Sequence, residues 1–197
     1  MAVNLTIVRH GNTFGPDEPP RRIGARTDLP LVESGREQAR ALGRWFVAEG
    51  MPFARVLCSP LKRARDTAAL ITGQYPAAPV VEPCEWLNEI DHGPDEGQPE
   101  DAVRDRISMQ ALAAWEAQGI APPGWIVDAD TRLTAWRSLM AERHAGDILL
   151  VTSNGAARFA LLAAGLSAPS LKLRTGAWGC IALDAGKPRL IEWDMRP

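Results

Sequence analysis

The chain has 197 residues, 46% of them hydrophobic and 23% charged, which is enough to bury one good core and fits one domain with a small elaboration. A formal net charge of -2 leaves no electrostatic footprint for nucleic acid or an anionic membrane, so an anion site has to come from a local cluster of arginines. The three cysteines, Cys58, Cys84 and Cys180, are odd in number and lack metal-ligand spacing, which argues against a disulfide framework or a zinc site and suits a reducing cytoplasm.

The first element predicted is a buried strand, Leu5 to Val8, which ends abruptly in Arg9-His10-Gly11-Asn12-Thr13. Gly11 frees the backbone to turn, and in an open α/β sheet the strand ends are where ligands bind. The strand begins almost at once, which leaves no room for a secretory leader, and the most apolar run, Phe159 to Leu166, is too short to span a bilayer. A soluble cytoplasmic protein with no membrane partner is expected. Phe14 to Pro30 carries Pro, Gly, Arg and Asp without apolar periodicity and reads as a loop arching over the strand end, with Arg21, Arg22 and Arg26 available to an anion. Ser34 then caps a helix, with Glu37 completing a capping box, and apolar residues follow at helical spacing until Gly50.

Arg55 to Ser59 predicts a second strand, and Pro60 starts a helix over Leu61 to Ile71 that closes at Gly73. Arg63 falls in its first turn, where free N–H groups and the helix dipole favour anions. A short third strand, Val80 to Glu82, precedes an acidic, glycine-bearing loop from Leu87 to Gly97 that holds Glu89, Asp91, His92 and Glu96. From about 98 to 145 the pattern gives two helices, Val103 to Trp115 and Thr131 to Arg143, around a Pro/Gly break. This reads as an inserted helical segment beside the sheet, with Trp115, Trp125 and Trp136 as packing residues. Asp147 to Thr152 is the clearest buried strand; Ser153-Asn154-Gly155 and a helix from about Ala156 to Ala164 follow it. Trp178 to Leu183 and Leu190 to Trp193, joined through Asp184-Ala185-Gly186-Lys187-Pro188, read as a terminal hairpin. The whole is a single α/β domain over 1–197: three layers, a mostly parallel sheet with helices on both faces, and the insertion beside the strand ends.

Taken together, these stretches resemble the histidine phosphatase superfamily, the phosphoglycerate mutase-like branch 1 family. Arg9-His10-Gly11 with Thr13 is similar to the family's RHG-x-T signature, and Gly24, Asp28, Pro30-Leu31, Gly35 and Gln38-Ala39 to the segment after it. Ser59-Pro60-Leu61, Arg63-Ala64 and Thr67-Ala68 resemble its S-P-L-x-R-A-x-x-T-A block. Leu87, Glu89-Ile90-Asp91, Gly93 and Glu96-Gly97 resemble its acid-bearing loop.

The resemblance implies a phosphatase acting on a small phosphorylated metabolite, with neither metal nor other cofactor. His10 would attack a phosphomonoester and carry a transient phosphohistidine, since a neutral imidazole is a competent nucleophile. Arg9 and Arg63 would hold the phosphoryl oxygens. Glu89 would protonate the leaving alcohol and then take a proton from water, with Asp91 and Glu96 as rivals for that role. Asn12, Thr13, Arg22 and His92 are further candidates for substrate contact. The sequence departs from the family at Asn154, where a second histidine is usual, and at Pro16, near a customary phosphate-contacting asparagine. Asn154 would donate to the phosphoryl group without adding charge, so the expected activity is reduced rather than absent. The chain's other histidines offer His92 as a replacement able to swing in, whereas His144 precedes its strand and should lie at the far end. A phosphate-ester-binding or regulatory protein is the alternative, and a phosphomutase the third possibility.

Overall fold

The computed structural model describes residues 2–184 and 187–197. Six strands form one sheet: β1 (Val3–Arg9), β2 (Arg55–Cys58), β3 (Val81–Pro83), β4 (Ile148–Thr152), β5 (Trp178–Asp184) and β6 (Lys187–Met195). Their order is β3-β2-β4-β1-β5-β6. The first three pairings in that order are parallel and the last two antiparallel, so the sheet is mixed with a parallel half. The residues Ala185 and Gly186 of the expected hairpin turn lie outside the described residues.

Alternation along the central strands sets the two faces. Leu5 and Ile7 of β1 point with Ile148 and Leu150 of β4 into one buried cluster. Val8 points with Leu149 and Val151 into the other. The second face is covered by α1 (Glu33–Ala48) and α2 (Lys62–Thr72) through Leu42, Phe46, Ala64, Ala68 and Ile71. The first is covered by α5 (Ala129–Ala141) and α6 (Asn154–Ala164) through Trp136, Leu139, Phe159 and Leu161. These are the expected three layers. Among the described residues no helix is long and apolar enough to cross a membrane.

Two expectations need correcting. Ser34 does not cap α1: the cap residue is Val32, without a side-chain bond, and Ser34 Oγ instead accepts from Asn12 Nδ2 at 3.3 Å. The helix expected over Val103 to Trp115 is two, α3 (Glu100–Arg106) and α4 (Met109–Gln118), because Ile107 turns extended and the Ser108 hydroxyl caps the second by accepting from Ala111 N–H.

The loop after β1 is closed at its neck. Val32 N–H donates to Asn12 O at 3.1 Å. Gly11 and Gly35 also touch backbone to backbone, so that a Cβ on Gly11 would strike the Gly35 carbonyl. Farther round, Ala25 N–H bonds Ile90 O, and Arg22 exchanges backbone bonds with Gln98 and Gly97.

Candidate active site

Strands β1 and β4 leave the sheet side by side, His10 N–H donating to Thr152 O at 3.0 Å. One imidazole and one amide thus emerge at the carboxyl ends of neighbouring parallel strands. His10 Nδ1 lies 2.8 Å from Gly11 O. A carbonyl only accepts, so Nδ1 carries the proton and Nε2 keeps its lone pair on the cavity side. Burial, then the positive charges of Arg63 and Arg9, hold the His10 pKa well below the ordinary imidazole value, against a smaller upward pull from Gly11. The ring is therefore neutral near pH 7, with Nε2 unprotonated.

Arg9 donates through Nη1 to Leu173 O at 2.8 Å. Burial lowers its pKa to about 10, Glu89 opposing, so it stays charged. Asn154, the first residue of α6, accepts from Leu173 N–H at 2.9 Å through Oδ1, which leaves Nδ2 as the donor free to meet a ligand. Leu173 is therefore held at both its N–H and its carbonyl, by Asn154 and by Arg9. The Glu89 carboxyl group accepts from Ile90 N–H at 2.9 Å and Gly155 N–H at 3.2 Å. Gly155 is needed here, since a Cβ would run into Glu89 Oε1.

Arg63 is placed differently from expectation. Its side chain is fully buried and donates to Thr27 O at 2.6 Å and Gly24 O at 3.0 Å, so its fork is turned toward the loop and it does not line the cavity. Its charge reaches His10 from behind that loop. The remaining candidates, Arg9, His10, Asn12, Thr13, Arg22, Glu89, His92 and Asn154, all line one cavity of about 890 Å³. Asn12 is tied up by Ser34 and by the Thr175 hydroxyl, which donates to it at 2.5 Å. Arg22 pairs with Glu100 and lies 4.9 Å from the Trp125 ring centre. His92 already opens onto the cavity and needs no swing, while His144 bonds Leu139 O at the opposite end of β4. Asp91 and Glu96, the rivals of Glu89, do not line the cavity: Asp91 pairs with Arg26, and Glu96 accepts from Gly24 N–H and the Thr27 hydroxyl.

Two arginines had no signal in the sequence. Arg132 of α5 donates to Val127 O (2.7 Å), Trp86 O (3.0 Å), Asn88 O (2.6 Å) and Glu89 O (3.4 Å), pinning the loop that carries Glu89. Arg158, one turn along α6 from Asn154, donates to Trp115 O at 2.5 Å and stacks 3.9 Å over the Trp115 ring. It fastens α4, and with it the wall formed by Trp115 and Glu116, to the site helix. Trp115, Trp125 and Trp136 are all buried; Trp125 and Trp136 do not line the cavity, whereas Trp115 does.

The model of the histidine phosphatase superfamily (branch 1) matches residues 5–195. The chain belongs to that superfamily. Among its relatives in the superfamily, it is 33% identical over 159 residues to 2,3-bisphosphoglycerate-dependent phosphoglycerate mutase 2 of Gloeobacter violaceus, covering 77% of this chain and 70% of that one. The uncharacterized phosphatase PhoE of Bacillus subtilis is 28% identical over 158 residues, covering 80% and 75%. A mycobacterial glucosyl-3-phosphoglycerate phosphatase shares the fold with a TM-score of 0.78 at 24% identity, over 99% of this chain and 100% of that one. As a member of the histidine phosphatase superfamily the chain is of an enzyme family whose members are phosphatases or mutases.

Proposed function

We propose that the protein is a phosphatase that hydrolyses a small phosphomonoester through a phosphohistidine on His10, with Asn154 standing where the family's second histidine would be. The observation that carries this reading is the state of His10: neutral, its Nδ1 proton committed to Gly11, its Nε2 open to a cavity beside two arginine charges.

In the first step Nε2 forms a bond to phosphorus as the ester P–O bond breaks, and the leaving alkoxide takes a proton from Glu89. Arg9 and the Nδ2 of Asn154 donate to the phosphoryl oxygens, and Arg63 adds charge from behind the loop. In the second step water gives a proton to Glu89 as it attacks phosphorus, the P–N bond breaks, and inorganic phosphate and neutral His10 result. Asn154 also motivates a second reading, a phosphate-ester-binding protein that retains the pocket without turnover. A phosphomutase is the third reading; it would have to enclose its substrate and keep water from the phosphohistidine.

The test is phosphate release from p-nitrophenyl phosphate and a panel of phosphorylated metabolites, with His10→Ala as the control. Turnover lost in that variant while its fold is kept supports the assignment. Equal release by His10→Ala removes His10 from the mechanism, and no release by the parent favours the binding protein.

A further inference from the structure

One buried titratable side chain opens onto the same cavity and has no part in the steps above: His92, 6% exposed. Its ring is fixed on three sides. Glu96 Oε2 stands 3.6 Å from Nδ1, the Trp125 ring meets it edge-on at 4.6 Å, and Gly24 packs so close that a Cβ there would come within 2.6 Å of Nδ1. Nδ1 is sealed from solvent without a hydrogen-bond partner among the described residues, whereas Nε2 is not sealed and the residue lines the cavity. The imidazole therefore presents Nε2 to a ligand with a carboxylate at its back.

Gly24 also joins His92 to the anion site. Its carbonyl accepts from Arg63 Nη2 at 3.0 Å while its α-carbon lies against the His92 ring, and only Ile90 and Asp91 separate His92 from Glu89 along the same loop. Resting on the phosphatase reading, we propose that His92, held by Glu96, is the second imidazole of this site: through Nε2 it meets an oxygen of the bound phosphoester and, when protonated, supplies there the positive charge that Asn154 cannot. Burial alone would push the Glu96 carboxyl up. The His92 ring, the Thr27 hydroxyl and the N–H groups of Gly24 and His92 outweigh burial and bring it to about 2, so the carboxylate behind the ring is ionised. The other charges around the ring are Arg22, over Trp125; Asp95, which accepts from the Trp125 indole and pairs with Arg106; and Arg63, beyond Gly24. His92 forms no bond to phosphorus; it shares a proton with the ligand and returns it.

The test is calorimetric titration of the full chain with inorganic sulfate over about pH 5 to 8, the range in which an imidazole changes charge while sulfate stays a dianion. The parent should bind sulfate more tightly toward acid. His92→Gln keeps volume and a donor but cannot carry charge, so it should lose that slope and bind roughly tenfold to a hundredfold more weakly at the acid end. Glu96→Gln, which leaves the imidazole in place, should blunt the slope and serves if the first variant does not fold. Adding Asn154→His to His92→Gln should bring the acid-strengthened binding back. A parent with no slope, a slope retained in His92→Gln, or an equal weakening at every pH overturns the proposal, the last marking a purely structural ring. Sulfate binding with this slope in a protein that hydrolyses no phosphoester would instead sink the phosphatase reading and leave His92 assigned.

Discussion

Replacing Asn154 by alanine should damage the protein in two separable ways, because its side chain has two duties. With Oδ1 committed to Leu173, Nδ2 is the donor left for the phosphoryl group of the proposed reaction, and loss of one well-placed oxyanion donor costs about 2.7–4 kcal/mol, or roughly a hundredfold to a thousandfold in turnover. Oδ1 accepts from Leu173 N–H at 2.9 Å, and Leu173 is fully buried, so alanine orphans a buried donor. That costs about 1–3 kcal/mol, which for a chain of this size lowers the melting temperature by roughly 2 to 12 °C. Asn154→Asp separates the effects: it keeps an acceptor for Leu173 but replaces the donor by a negative charge beside the phosphate. It should therefore melt near the parent and turn over no faster than Asn154→Ala. Thermal melting and phosphate release on the three proteins decide the matter. An aspartate variant that melts as low as the alanine one refutes the Leu173 argument, and an alanine variant with parental turnover refutes the donor.

Glu89→Gln should slow hydrolysis of alkyl phosphates far more than of p-nitrophenyl phosphate, whose leaving group departs without a proton; equal losses would point to a structural Glu89. Arg132→Met strips three short bonds from the loop carbonyls and should lower stability by at least about 3 kcal/mol in urea denaturation, with turnover falling too as Glu89 loses its anchor; full activity in the folded variant would show the loop is held by other contacts. Acid should destabilise the fold in two windows. His10 has a folded pKa below its unfolded one, so stability drains as pH falls through about 6.5, and His10→Gln should flatten melting curves there. Glu96, at about 2 when folded, contributes stability above its unfolded value that is lost as pH falls from about 4.5 toward 2, and Glu96→Gln should remove that second decline.

The strand ends were readable because hydrophobic alternation and the glycine and proline breaks after them are local signals, and His10, Glu89 and Asn154 sit at those breaks. What a long side chain meets was not readable. Arg63 was placed correctly in the first turn of α2, yet its guanidinium turns to the Gly24 and Thr27 carbonyls, a contact spanning nearly forty residues. Arg132 looks like any arginine on an amphipathic helix until the loop folds under it. Ser34 had the right residue type and spacing for a cap, but Asn12, far off in sequence until the Gly11 and Gly35 backbones meet, claims its hydroxyl. The break at Ile107 was hidden because apolar spacing continues across it.

The closed neck between Asn12 and Val32 has an evolutionary side. Because that bond and the contact of the two glycine backbones hold the ends of the loop together, the chain between them can change without moving His10. The bonds of Arg22, Gly24 and Ala25 to the opposite loop restrict this freedom to about Phe14 to Pro20, which also forms part of the cavity wall. Lengthening a surface loop costs little once its ends are joined, about 0.6 kcal/mol for each doubling. The segment that can most cheaply drift, grow or be exchanged between relatives is thus one that lines the cavity, and new lining side chains can be sampled there while His10 stays where β1 puts it.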